Sequence, residues 1–280
     1  MRNKKHSRLA RWFLLWFVPL FFSPLFGCFA APAAAQEVRV AAAADLQYAM
    51  DDIARKFEAR TGIKVAVTYG SSGNFFSQIQ NGAPFDLFFS ADADYPRKLV
   101  SAGFAAPGPI FFYAVGHVVI WMPASSPVNL AQEGWRALTD ARIEKIAVAN
   151  PEHAPYGRAA IAALQHAGIY DRVKAKLVYG ENIAQAAQFV QSGNAQAGIL
   201  AKSLTYAPAL HNGKLWNIPP TLYPTILQGA ILLKSAANNH NARSFLEFVQ
   251  GPAARLTFDY CGLDAPTAAD LAVTHGAAAQ

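Results

Sequence analysis

Cysteine is almost missing from this 280-residue chain, which has two, Cys28 and Cys261. Cys28 falls in a leader-like N-terminus. The rest of the chain keeps Cys261 alone, so no internal disulfide is available and packing must hold the fold. Catalytic fingerprints are missing too. There is no G-x-G-x-x-G turn, no Walker A loop and no H-E-x-x-H helix. Gly70-Ser71-Ser72-Gly73 does not fit the G-x-S-x-G nucleophile elbow. Of the seven histidines, six lack a second ligand residue at zinc-like spacing. His240, near Arg243 and Glu247, does not make a metal pattern either. These absences argue against an enzyme and against a cofactor or metal centre.

A surplus of positive charge is the next thing the chain lacks, once its start is set apart. Arg2, Lys4, Lys5, Arg8 and Arg11 precede an apolar run from Trp12 that ends in Ala33-Ala34-Ala35. A basic opening, an apolar middle and a small-residue end describe a signal peptide over residues 1–35, cut after Ala35. Pro19 and Pro24 argue against an uncleaved membrane anchor. Leu25-Phe26-Gly27-Cys28 loosely resembles a lipobox, and lipid anchoring at Cys28 is the less favoured alternative because Phe26 is bulky for that position. The whole chain has 24 basic and 18 acidic residues; without the five leader charges, 19 face 18, a formal +1. The high pI therefore belongs largely to the leader, and no nucleic-acid partner is expected.

What remains alternates strands with helices. Glu37 to Ala43 reads as a buried strand, and Leu46, Met50, Ile53, Ala54 and Phe57 fall at helical spacing, with Asp45 at the N-cap position and Thr61-Gly62 as the stop. Lys64 to Tyr69 is a second strand, followed by the turn Gly70 to Asn74 and a helix to Asn81. Phe85 to Ser90 is a third, with Asp86 bonding to backbone and Asp92 capping the helix after it. Such alternation points to βαβ units and parallel sheets. Ile110 to Met122 is too long for one strand, and Gly116 in its middle suggests a crossing between two lobes. A second α/β set follows, with a helix around Trp135 to Leu138, strands at Lys145–Ala149, Leu177–Tyr179 and Ala197–Leu200, and helices at Gly157–Ala167 and Ile183–Gln191. Tyr223 to Leu233 forms the return crossing. Helices Asn241–Gln250 and Pro252–Tyr260 then rejoin the first lobe.

The fold class is therefore α/β, two lobes each with a mostly parallel sheet flanked by helices, joined by two hinge crossings. Lobe I takes residues 36–115 and 222–280, and lobe II residues 116–221. Ligands of open parallel sheets bind where strands turn into helices. The candidate turns are Ala44-Asp45, Gly70 to Asn74, Asn150 to Gly157 and Gly180 to Ile183, two per lobe. Free amides at helix starts suit an anion.

Together, Ala41-Ala42-Ala43-Ala44-Asp45-Leu46, Gly70-Ser71-Ser72-Gly73, the run Asn81 to Asp92 and Asn150-Pro151-Glu152-His153-Ala154-Pro155-Tyr156-Gly157 resemble the periplasmic molybdate-binding proteins of ABC importers. The resemblance spans essentially the whole chain after the leader. It implies the two-lobe periplasmic-binding architecture (type II-like), capture of molybdate or tungstate between the lobes, and delivery to an ABC permease and its ATPase by a periplasmic monomer. It implies anion donors at Asp45 (its amide, with Ala44), Ser72 (hydroxyl and amide), Tyr156 (amide) and Ile183 (amide), with Ser71 as neighbour. Two departures stand out. Many members have Ser in place of Asp45, and some have Tyr in place of Ala201. A carboxylate beside a dianion is repelled by several kcal/mol at short range. Either the Asp45 side chain turns away to cap its helix, the reading adopted, or the anion is protonated and the carboxylate accepts its O–H. Competing readings are a sulfate, phosphate or protonated-oxyanion binder, and a secreted hydrolase using Ser71 or Ser72 with His153.

Overall fold

The computed structural model describes residues 37–276; the expected leader and Cys28 lie outside them. β1 (Val38–Ala43), β2 (Val65–Gly70), β3 (Leu87–Ser90) and β4 (Phe111–Gly116) alternate with α1 (Gln47–Thr61), α2 (Ser72–Gln80) and α3 (Asp94–Ser101). The second set is β5 (Val118–Met122), α4 (Leu130–Glu133), β6 (Ile146–Ala149), α5 (Pro155–His166), α6 (Tyr170–Val173), β7 (Leu177–Gly180), α7 (Ile183–Gln191), β8 (Ala197–Ala201) and β9 (Lys214–Asn217). β10 (Ile226–Leu232) leads back, and α8 (His240–Gln250), α9 (Pro252–Tyr260) and α10 (Ala268–Gly276) close the chain.

The strands form two five-stranded sheets, in the orders β2-β1-β3-β10-β4 and β7-β6-β8-β5-β9. The two-lobe α/β architecture is the one expected, but the sheets are mixed rather than mostly parallel. β1 pairs parallel with β2 and β3, while β10 runs antiparallel to β3 and β4. β6 pairs parallel with β7 and β8, while β5 runs antiparallel to β8 and β9. The cause is the crossing. Strands laid down by successive βα units run one way, and a strand arriving from the other lobe runs against them.

The long run around Gly116 splits as its glycine suggests: β4 ends there, and β5 starts after His117. A Cβ on Gly116 would stand 2.2 Å from the Tyr156 hydroxyl, so only glycine fits that close approach. Helix ends follow local chemistry. Gly62, with φ of 72°, stops α1 in the left-handed conformation. Asn182 accepts the amides of Ala184 and Gln185 and starts α7. The inner strands of each sheet are near-continuous apolar runs and almost wholly buried, as strands covered on both faces must be. The α8 and α9 helices return to the first lobe, where Phe57 packs edge-on against Phe245 at 5.1 Å beside Phe258. Four of these elements lie outside the sequence expectations: the one-turn helices α4 and α6, the strand β9 and the helix α10. Trp135 sits in a 3-10 turn rather than a helix. No helix among the described residues is long and apolar enough to cross a membrane.

Candidate functional site

Three helices start at the seam between the sheets. α2 is opened by Ser71, whose Oγ accepts the Asn74 amide at 3.3 Å. α5 is opened by Pro155, which lacks an amide, so the first donor of that helix is Tyr156. α7 begins at Ile183 behind its Asn182 cap. The amides of Ser72, Tyr156 and Ile183 occupy first-turn positions and have no acceptor within their own helices. A short 3-10 turn, Ala44–Leu46, carries β1 into α1 at the same place.

These junctions enclose one small cavity, lined by Ala43, Ala44, Asp45, Gly70, Ser71, Ser72, Ala91, Ala154, Pro155, Tyr156, Asn182 and Ile183. All six residues singled out from the sequence, Ala44, Asp45, Ser71, Ser72, Tyr156 and Ile183, are on its wall. In this arrangement the walls close to a space of about 10 Å³, no more than one water needs. No lysine or arginine lines it. Ser72 is fully buried, and its Oγ accepts the Ala91 amide at 2.9 Å, which leaves the hydroxyl proton free to be donated. A roomier cavity of about 290 Å³ shares Ala91 and Pro155 but is lined also by Asp92, Asp94 and Arg158, and the one cation there is already paired with Asp92.

The seam is tied by side chains and backbone from both lobes. The Gly73 amide donates to the His153 carbonyl at 3.0 Å, and a Cβ on Gly73 would come within 2.7 Å of that oxygen. Ser71 Oγ lies 3.0 Å from His153 Nδ1, and Asn74 Nδ2 donates to Glu181 at 3.1 Å. Arg158 pairs with Asp92 at 2.5 Å. Asp92 also accepts the amide of Asp94, the first residue of α3, from one position before the N-cap Ala93, which has no side-chain cap. Asp86 accepts the Arg39 amide as expected.

Asp45 departs from expectation. Its side chain caps no helix: the 3-10 turn has no side-chain cap, and the carboxylate points into the protein, 1% exposed. Oδ2 accepts from the Tyr156 hydroxyl at 3.0 Å and from Gln228 Nε2 at 2.7 Å, while Oδ1 has no partner among the described residues. The N-cap demand for Asp was outweighed because the turn opens on Ala43 and two strong donors stand inside the seam. Burial pushes the carboxyl up to about 7, although the bonds from Gln228 and Tyr156 act the other way. Burial, and then the charge of Asp45, holds the Tyr156 phenol well above its usual range.

Gln228 and Ser203, whose Oγ donates to the Asp45 carbonyl at 2.7 Å, were not singled out from the sequence. Gln228 carried a usable signal, since it is the lone polar side chain in the apolar run Ile226–Leu232. Ser203 carried none. Ala201, fully buried at the end of β8, brings no hydroxyl. The Ser71–His153 contact is the geometry a hydrolase would need in part. However, Ser71 is engaged as a helix cap, and among the described residues no carboxylate bonds the His153 ring to orient it.

Comparison with known proteins gives a consistent picture. The profile described as "Bacterial extracellular solute-binding protein" matches residues 38–263. The "Molybdate-binding protein ModA" of Rhodobacter capsulatus is 41% identical over 225 residues, covering 80% of this chain and 87% of that protein. Its namesake from Azotobacter vinelandii is 42% identical over 229 residues, 81% and 90% of the two chains. The solved structure of the Azotobacter vinelandii periplasmic molybdate-binding protein superposes with a TM-score of 0.77 at 35% identity, covering 82% of this chain and all of that one.

Proposed function

The chain belongs to the bacterial extracellular solute-binding proteins, the family of these ModA relatives, and we propose that it captures molybdate or tungstate in the cavity between its lobes. It is a binding protein and not an enzyme. The observation that carries the choice of ligand is the cavity itself: small, walled by helix starts from both lobes, with the Ser72 hydroxyl unspent and no cation on its wall. The anion takes hydrogen bonds from Ser72 (Oγ and amide), the Tyr156 and Ile183 amides, and the Ala44–Asp45 turn, with Ser71 beside them. Bonds to a charged acceptor contribute about 1.5–3 kcal/mol each, so five such donors support tight binding after the cost of closing the lobes.

Lobe I comprises residues 36–115 and 222–280, and lobe II residues 116–221, hinged near Gly116 and at the entry to β10. The leader is removed on export, and the mature monomer hands its oxyanion to an ABC permease driven by an ATPase. The relatives' names and the seam contacts support this reading.

Calorimetry of the mature protein against molybdate, tungstate, sulfate and phosphate tests it. Molybdate and tungstate bind at least about a hundredfold more tightly than the other two, a preference of about 3 kcal/mol. Binding of sulfate or phosphate with no heat from the first pair would overturn it.

A further inference from the structure

We propose that the site binds its oxyanion together with one proton, carried on Oδ1 of Asp45, so that capture takes up a proton from solvent and loss of that proton releases the anion. This rests on the oxyanion reading above. Asp45 lines the cavity and is buried, and its two oxygens differ in kind. Oδ2 receives two donors, the Tyr156 hydroxyl from α5 and the Gln228 amide from β10, so it is the carbonyl-like oxygen of the acid. Oδ1 has no partner. An ionised Asp45 would set a negative charge, with no cation on the wall to offset it, in a residue that lines the cavity of a dianion. A protonated Oδ1 becomes one more donor to that dianion.

Asp45 is the carboxyl that lines the cavity; His153, whose Nδ1 lies 3.0 Å from Ser71 Oγ, stands behind that serine and off the lining. Tyr156 from α5 and Tyr113 from β4 face Asp45, and burial holds both phenols neutral, with Tyr223 beyond Tyr156. Ser203 meets only its carbonyl. Nearby Lys202 lies along Gly262, and Tyr69 of β2 bonds Asp51 instead. Burial, opposed by the bonds from Gln228 and Tyr156, already leaves the Asp45 carboxyl at about 7, and an adjacent anion pushes it further up.

The geometry also couples the proton to closure. Asp45 belongs to the first lobe, Tyr156 to the second and Gln228 to the returning hinge strand. The carboxyl therefore leaves water only when the lobes meet. With the lobes apart it ionises like an ordinary aspartate; with the anion enclosed it does not. One proton is gained for each anion bound.

The experiment is calorimetric titration of molybdate into the full mature protein from about pH 6 to about pH 8.5, in pairs of buffers of different ionisation enthalpy. The expected result is uptake of close to one proton per anion and an affinity that falls about tenfold per pH unit. Asp45→Asn, which keeps a neutral donor in place, binds molybdate with no proton uptake and a flat pH profile. A flat profile without proton uptake in the unaltered protein overturns the proposal, as does a slope that survives in Asp45→Asn. If neither protein binds molybdate or tungstate at any pH, the oxyanion reading fails and this inference falls with it.

Discussion

Ser72 and Asp45 stand on the same wall and show how much a single side chain depends on its partners. Ser72 Oγ has already accepted one amide, so its remaining capacity is as a donor. Ser72→Ala removes that donor and leaves the buried Ala91 amide without an acceptor. The expected outcome is a loss of about 10- to 100-fold in molybdate affinity by calorimetry, with about 1–3 kcal/mol lost from stability in urea titration. Asp45 makes a prediction that separates the open form from the closed one. In the closed form its carboxyl sits at about 7 against an unfolded value of 3.8. With the lobes apart it ionises as in the unfolded chain, so without ligand the stability difference between the unaltered protein and Asp45→Asn should stay constant from about pH 4 to about pH 8. A difference that falls as pH climbs through that window would show that the carboxyl is buried before any anion arrives.

At the scale of elements, the helix starts decide what the seam can hold. α2 approaches the loop before α5 so closely that Gly73 has no room for a methyl group against the His153 carbonyl. Gly73→Ala forces backbone to move there, because the obstacle is a carbonyl and not a flexible chain end. It should weaken molybdate binding at least about tenfold, as a disturbed seam loses one or more donors, while the melting temperature without ligand changes little. Equal loss of affinity and stability would assign Gly73 to the lobe's own core instead.

Helices with their own punctuation were legible in the sequence. α7 and α9 begin at Ile183 and Pro252 as read, because an Asn cap and a first-turn proline are local signals. β9 was not, since Lys214–Asn217 is a four-residue, partly exposed edge strand whose partner β5 lies far back in the chain. The Asp45 side chain was misread for the same reason. Its cap role is a local rule, whereas Tyr156 and Gln228 are 111 and 183 residues away. The turns of the cavity could be listed from the sequence; which way a carboxylate turns within them depends on contacts made only after folding.

For the molecule as a whole, the charge balance and the cavity tell the same story. Without the five basic residues of positions 1–35 the chain is close to neutral, and the wall of the cavity carries dipoles in place of cations. Attraction that comes from oriented amides at short range is screened little by dissolved salt. Molybdate affinity should change less than about threefold between about 50 and 500 mM sodium chloride. A steep decline would point to a lysine or arginine reaching the anion. On the proposed lobe division, opening breaks the seam bonds of Asp45, Ser71, Gly73, Asn74 and Asp92 to the second lobe.

The most direct test of the central claim is to locate molybdenum by its anomalous scattering in crystals grown with molybdate. One peak is predicted in the seam, its oxygens roughly 2.7–3.2 Å from Ser72 Oγ and from the amides of Ser72, Tyr156 and Ile183. A peak in the Asp92–Arg158 cavity, or one whose oxygens are held by lysine or arginine side chains, would contradict the account.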